Sequence, residues 1–271
     1  MKIISFSLYG NDERYTVPLE QYASSLHLYY PGWIIRVYHD DSVAKETLEN
    51  LELNNVQLVN INHPELLKFN LAPKFWRFLP VLENEIEVVI FRDSDSIFSH
   101  RECILVNEWL NCDNLFHIMR DHHLHVSPIL AGMFGVKNEG FKIISKLFFN
   151  YPHLTKKNSY NSDQIFLADH LYPIIKNEVL VHTSYFAFHS EKHVRINKSK
   201  DSNGFIGAVF INMNIEDQNI FSDYDFIVGI PFWFAKILRY KIRPVLYISY
   251  YFNLVMRKKV IPFIFIYFCT I

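Results

Sequence analysis

The chain has 271 residues, half of them apolar, and carries 27 basic against 28 acidic side chains for a net charge of −1. That length and apolar content suffice for one large buried core, which excludes a disordered polypeptide, and no nucleic-acid partner is expected. The eight glycines include no GxGxxG and no GxxxxGK[ST] spacing, so neither the dinucleotide fingerprint nor the P-loop is available to hold a phosphate. Cys103, Cys112 and Cys269 are odd in number and lack CxxC spacing, which reads as reduced thiols without a disulfide framework or structural zinc site. The first ten residues are too short and too polar for a signal peptide, and the expected location is the cytoplasm.

In chain order, the apolar run 3–8 predicts a strand and the helical spacing over 17–30 a helix, broken by Pro31-Gly32 before a second strand over 34–40. Ser42 is placed to cap a helix running to Leu51, 56–61 reads as a third strand, and 64–82 as mostly helical with a proline interruption. The nearly continuous, β-branched run 86–91 predicts a fourth strand covered on both faces. Beyond it come a helix over 102–110, strands over 115–119 and 129–136, helices over 141–149 and 162–170, and a strand over 179–182. Strands alternating with helices imply an α/β domain around a largely parallel sheet.

After Asp225 the composition changes abruptly. Seven of the 27 basic residues and no acidic one lie in 226–271, leaving 20 basic against 28 acidic in residues 1–225. This makes 1–225 the expected catalytic domain and 226–271 a basic, apolar, helical segment. Its two apolar runs, 13 residues over 244–256 and 12 over 260–271, are split by Arg257-Lys258-Lys259. Neither reaches the roughly 20 residues that a membrane-spanning helix requires. Together they suit an anchor lying on an anionic membrane surface, peripheral on the inner face; the alternative is a pair of helices packed on the core.

Asp93-Ser94-Asp95 directly follows the fourth strand, and open α/β sheets bind their ligands at the carboxyl ends of strands. Carboxylates at i and i+2 of an extended segment face one side and offer hard oxygen ligands to Mn²⁺ or Mg²⁺. A second copy, Asp223-Tyr224-Asp225, follows no apolar strand. The alternative reading of the first pair is a solvated turn.

Four segments in order, 74–78 (KFWRF), 88–96 (VVIFRDSDS), 129–135 (ILAGMFG) and 163–167 (DQIFL), resemble GT-A type nucleotide-sugar glycosyltransferases of bacteria and viruses, the surface-polysaccharide and lipooligosaccharide enzymes most. The similarity covers about residues 1–210. It implies a Rossmann-like, mainly parallel central sheet, a hexosyltransferase-like activity, a divalent metal (Mn²⁺ or Mg²⁺), a UDP-sugar or other nucleotide-sugar donor, and a glycan or lipid-linked acceptor. Asp93 and Asp95 are then the metal ligands and Ser94 sits at the donor, while Ser7, Tyr9 and Asp40 lie at strand ends near the base and ribose. Asp40 reads equally as a turn-capping residue. Lys74 and Arg77, three apart on one helix face, reach a phosphate or a sugar hydroxyl. Arg92 balances the acidic pair or makes an ordinary ion pair.

By the same resemblance Asp163 and Gln164 lie beside the transferred sugar, Asp163 acting as base if the enzyme inverts and positioning the sugar if it retains. The bland alternative is a helix start with Ser162 before it. Gly132 falls on the acceptor side. The His-x-x-Gly-x-x-Lys-Pro-Trp ending of one retaining family is missing, the nearest match being Val181-His182-Thr183-Ser184, so His182 is carried over as third metal ligand on position alone. The cluster His117, Arg120, Asp121, His122, His123 and His125 lacks a closing cysteine pair for zinc, and Arg120, Asp121 and His122 are assigned to the acceptor edge. Two rival readings are a HAD-like phosphohydrolase, which places its acidic pair after the first strand, and a non-catalytic, membrane-attached sugar-binding protein.

Overall fold

A computed structural model describes residues 1–122, 125–151, 154–155, 161–196, 205–211, 214–215 and 227–230. His123, the second Asp-Tyr-Asp and the segment from 231 onward lie outside the described residues.

The chain runs β1 (Lys2–Leu8), α1 (Glu13–Tyr29), β2 (Ile34–His39), α2 (Lys45–Leu53), β3 (Gln57–Asn60), a short α3 (Pro64–Leu67), a 3₁₀ helix (Pro73–Leu82) and β4 (Val88–Phe91). It continues through α4 (His100–Leu110), β5 (Phe116–Arg120), β6 (Phe134–Lys137), α5 (Phe141–Phe149), α6 (Ser162–Ile165), a π-helical turn (Phe166–Leu171) and α7 (Tyr172–Ile175). Last come β7 (Val179–Thr183), β8 (Phe186–Phe188), β9 (His193–Arg195), the two-residue strands β10 (Phe210–Ile211) and β11 (Asn214–Ile215), and β12 (Ile227–Ile230). The expected α/β architecture is present: eight strands form one sheet in the order β3-β2-β1-β4-β6-β5-β7-β9, parallel except where β6 runs against β4 and β5.

Alternation along β1 explains the layering. Ile4, Phe6 and Leu8 join Val88 and Ile90 in a core that contains Leu19, Tyr22, Leu51 and Trp109 from α1, α2 and α4. Ile3, Val89 and Phe91 face the opposite side, where Phe75 and Phe78 of the 3₁₀ helix meet Phe148 of α5 and Phe166. Helices thus cover both faces, which is why β4 is buried at every position.

Several local expectations change. The segment 129–133 precedes β6 as an irregular stretch instead of extending it. Residues 73–82 wind as a 3₁₀ helix, consistent with prolines at both Pro73 and Pro80. Ser42 caps no helix: α2 starts after Ala44, and the Ser42 hydroxyl accepts from the Gly10 N–H at 2.7 Å. Ser162 is the first residue of α6 and Asn161, in a left-handed conformation, precedes it. β12 pairs in parallel with β8, so residues 227–230 of the expected helical tail form a strand against the domain. Among the described residues no helix is long and apolar enough to cross a membrane.

Candidate active site

β1 leads through α1 to β2 on one side of it, whereas β4 lies on its other side, so the strand order reverses between β1 and β4. The loops leaving their carboxyl ends diverge and open a crevice, the place where ligands bind in open α/β sheets. Tyr9 and Gly10 follow β1 on one side and Asp93 and Asp95 follow β4 on the other.

Arg77 is the hub of this crevice. Ser5 and Ser7, on one face of β1, bracket its peptide: the Ser5 hydroxyl donates to the Arg77 carbonyl at 2.7 Å, and Ser7 Oγ accepts from the Arg77 N–H at 2.9 Å. Its buried guanidinium then reaches the end of β4. Nη1 donates to the Arg92 carbonyl at 3.0 Å and to Asp93 Oδ1 at 2.5 Å, Nε to the Lys74 carbonyl at 3.3 Å, and Nη2 meets Asp163 Oδ2 at 3.5 Å. Burial alone lowers the Arg77 pKa, yet the charges of Asp93 and Asp163 raise it on balance, so the cation is secure.

Register fixes what stands over Asp93. In the antiparallel β4–β6 pair Phe91 lies opposite Phe134, so two residues beyond Phe91 comes Asp93 and two residues before Phe134 comes Gly132. A Cβ on Gly132 would overlap the Asp93 carboxylate and stand 2.9 Å from its backbone nitrogen. Gly132 therefore packs directly on the acidic pair. Ser96 closes the turn by donating to the Asp93 carbonyl at 3.2 Å and pairs as an isolated antiparallel bridge with Val209.

The Asp93 side chain is 49% exposed and that of Asp95 13%. Burial, with the neighbouring Asp93 charge adding, pushes the Asp95 carboxyl up to about 6, against the opposing pull of Arg14, whose Nη2 lies 3.4 Å from Asp95 Oδ2. Burial likewise raises Asp163; Arg77 opposes it, Asp93 adds to it and Lys74 opposes it. Tyr9, 46% exposed and edge-on to Trp76 at 6.1 Å, is raised by burial and by Asp163 and Asp93 against Arg77, so its hydroxyl stays protonated as a donor. The structure therefore brings together Tyr9, Lys74, Arg77, Asp93, Asp95, Gly132 and Asp163, with Ser7 as the residue that seats Arg77.

Two carboxylates at i and i+2 are hard oxygen donors of the kind that suits Mn²⁺ or Mg²⁺, and the half-exposed Asp93 leaves access to such an ion. Among the described residues no group of three or more His, Cys, Asp or Glu side chains is arranged to hold a metal, so an ion on this pair would need further ligands from outside the protein.

The structure places the remaining candidate residues in other contacts, and for Arg92 and Asp40 these are the ion pair and the turn that the sequence also offered. Arg92 is buried on the far side of β4's end, where its guanidinium pairs with buried Glu102 and donates to the Gly132 carbonyl at 2.8 Å; no surface is left for a donor. His182 hydrogen-bonds His117 at 2.7 Å and lies 3.3 Å from Glu108, in the layer of α4, with neither acidic residue among these contacts. Burial lowers both imidazoles, His117 well below its usual range. Arg120 is fully buried against Glu191 with its guanidinium 5.2 Å from the Phe186 ring and 4.8 Å from the Phe188 ring, and Asp121 accepts from Arg101, Ser184 and the Ile206 N–H. His122 is buried against Phe205 at 4.2 Å between ring centres. The Asp40 carboxylate serves its turn, accepting from the Ser42 N–H at 3.1 Å and from the Ser42 hydroxyl.

Gln164 holds backbone: with its amide oriented to satisfy both groups, it donates to the Ile129 carbonyl and accepts from the Ala131 N–H, each at 3.0 Å. It braces the stretch that delivers Gly132. Ser94 is buried behind the pair. Sequence reasoning missed Ser5, Glu102 and Arg14; for Arg14 the only signal was a cation in the first turn of the helix after β1.

No family profile matches the chain, and no curated protein matches it. Among solved structures it is similar to the galactosyltransferase LgtC in complex with donor and acceptor sugar analogs (16% identity over 70% of this chain and 76% of that one, TM-score 0.45). It is also similar to a glycosyltransferase involved in glycosylation of the major capsid of PBCV-1 (14%, 69% and 84%, 0.44). A third is glucosyl-3-phosphoglycerate synthase from Mycobacterium tuberculosis in complex with Mn²⁺, UDP and phosphoglyceric acid (12%, 74% and 72%, 0.46). TM-scores below 0.5 mark a loose correspondence of strands and helices, from which no residue's role follows.

Proposed function

We propose that the protein is a metal-dependent glycosyltransferase that moves a hexosyl group from a nucleotide sugar, a UDP-sugar first among them, to a glycan or lipid-linked glycan acceptor. The observation that carries this reading is the convergence of Asp93 and Asp163 on buried Arg77 at the β1–β4 reversal, with Asp95 two residues further along the same rim. A Mn²⁺ or Mg²⁺ ion on the acidic pair supplies positive charge against the charge that grows on the departing nucleoside diphosphate.

The chain's own residues prepare that step. Arg77 fixes one Asp93 oxygen and one Asp163 oxygen, so the two carboxylates keep a constant separation without reorganising during reaction. Lys74, one 3₁₀ turn before Arg77, adds positive charge on the Asp163 side. The protonated Tyr9 hydroxyl is a donor toward the same crevice. Asp163, raised above an ordinary carboxylate, is the better base for an acceptor hydroxyl in an inverting reaction and holds the sugar in a retaining one. The anomeric configuration of the product separates these two roles.

The test is a screen of UDP-, GDP- and CMP-sugars for Mn²⁺-dependent donor hydrolysis. Wild type should turn over at least one donor, chelation should stop it, and Asp93→Ala or Asp95→Ala should each lower the rate about 100-fold or more. Turnover that survives both substitutions rules out the reading.

A further inference from the structure

Each carboxylate of the acidic pair is met by an arginine, and the two arginines differ in kind. Arg77 is buried and committed to four partners. Arg14, in the first turn of the 17-residue α1, has a 42% exposed side chain, a single ion-pair contact of 3.4 Å to Asp95 and the Tyr15 ring 5.7 Å away.

We propose that Arg14 is a movable counter-charge: it holds Asp95 while no divalent cation is bound, releases that carboxylate as the cation arrives, and turns its guanidinium to the diphosphate of the donor. This rests on the transferase reading above and adds a positioning residue that the motif segments do not contain. At 3.4 Å, with the Arg14 side of the pair open to solvent, this ion pair is long and exchangeable. A divalent ion on Asp93 and Asp95 would cancel the charge of the two carboxylates, so the attraction that holds Arg14 at Asp95 would fall away. The displaced guanidinium remains tethered to α1 at the crevice mouth, where its planar donor fork matches phosphate oxygens. The helix N-terminus itself cannot take that part, because Asp12 already caps it, accepting from the Arg14 N–H at 2.9 Å.

Two titrations on the full-length protein test this. Mn²⁺ affinity without nucleotide is read from the free-ion signal in electron paramagnetic resonance, and UDP affinity is read by calorimetry at saturating Mn²⁺. Arg14→Gln should bind Mn²⁺ about three- to tenfold more tightly, because a competing cation has gone. The same variant should bind UDP about tenfold more weakly, because a charge-assisted phosphate contact has gone. Unchanged or weakened Mn²⁺ binding in Arg14→Gln, with wild-type binding that Asp95→Asn abolishes, overturns the role of Arg14 and leaves the metal site standing. Wild-type Mn²⁺ binding that is absent, or indifferent to Asp95→Asn, overturns the metal site and Arg14's role together.

Discussion

Gly132 shows how a single position becomes functional through strand register. Because Phe91 and Phe134 are cross-strand partners, any side chain two residues before Phe134 meets the carboxylate two residues after Phe91. Gly132→Ala should push the Asp93 carboxylate off its place beside Arg77 and weaken Mn²⁺ binding about tenfold or more, as disturbance of groups that orient metal ligands does. Gly135→Ala is the matched control, since its Cβ would press on Ile90 and Trp109 at 3.0 Å, away from the acidic pair. It should cost stability comparable to Gly132→Ala by overpacking, about 1–3 kcal/mol, while leaving Mn²⁺ affinity intact. Equal loss of Mn²⁺ affinity in both variants would mean that general loosening, and not the Asp93 contact, is being measured. Asp93 and Asp95 themselves were legible because a buried apolar run announces where a strand ends. The contact of Gly132 with Asp93 was not legible, because the pairing of β4 with an antiparallel β6 cannot be read from spacing.

Among the elements, β4 and α4 are joined by a buried polar network that the sequence concealed. Arg92 is adjacent to Asp93 in the chain, which invites a role at the site, yet its partner Glu102 lies ten residues on and also accepts from the Tyr30 hydroxyl at 2.8 Å. Arg92→Met should cost about 3–5 kcal/mol in urea unfolding, because Glu102 is left charged and buried. Pairing it with Glu102→Gln, which removes the charge and keeps an acceptor for Tyr30, should recover part of that loss. Donor affinity of the folded fraction should be unchanged; a selective loss of donor binding would return Arg92 to the site. The same blindness to distant partners hid the anchoring of Arg120 by Glu191 and of His182 by His117, whereas α5, with an apolar face and no long-range charge, was read at its observed bounds. The stretch 129–133 misled for a related reason: Ile129 and Ala131 are buried, but loop backbone is braced there by Gln164 in place of a strand neighbour.

At the scale of the whole molecule, charge is divided unequally along the chain, with seven cations and no acid after Asp225. Each cation near an anionic leaflet would contribute about 1 kcal/mol, which is the basis for predicting peripheral attachment through this segment. Where to cut it follows from the fold. Removal from Phe226 would delete β12 and uncover the edge of β8, so a loss of binding could be put down to damage of the domain. Ending the chain after Ile230 keeps that strand pair and removes all seven cations. The shortened chain should leave the membrane fraction and stop sedimenting with phosphatidylserine vesicles, while its Mn²⁺-dependent donor hydrolysis persists and transfer to a lipid-linked acceptor in vesicles falls. For the full chain, vesicle binding should weaken steeply as salt rises, because screening acts on exposed charge. Binding indifferent to salt and to the truncation would place attachment elsewhere on the domain and remove the electrostatic case for a membrane-borne acceptor.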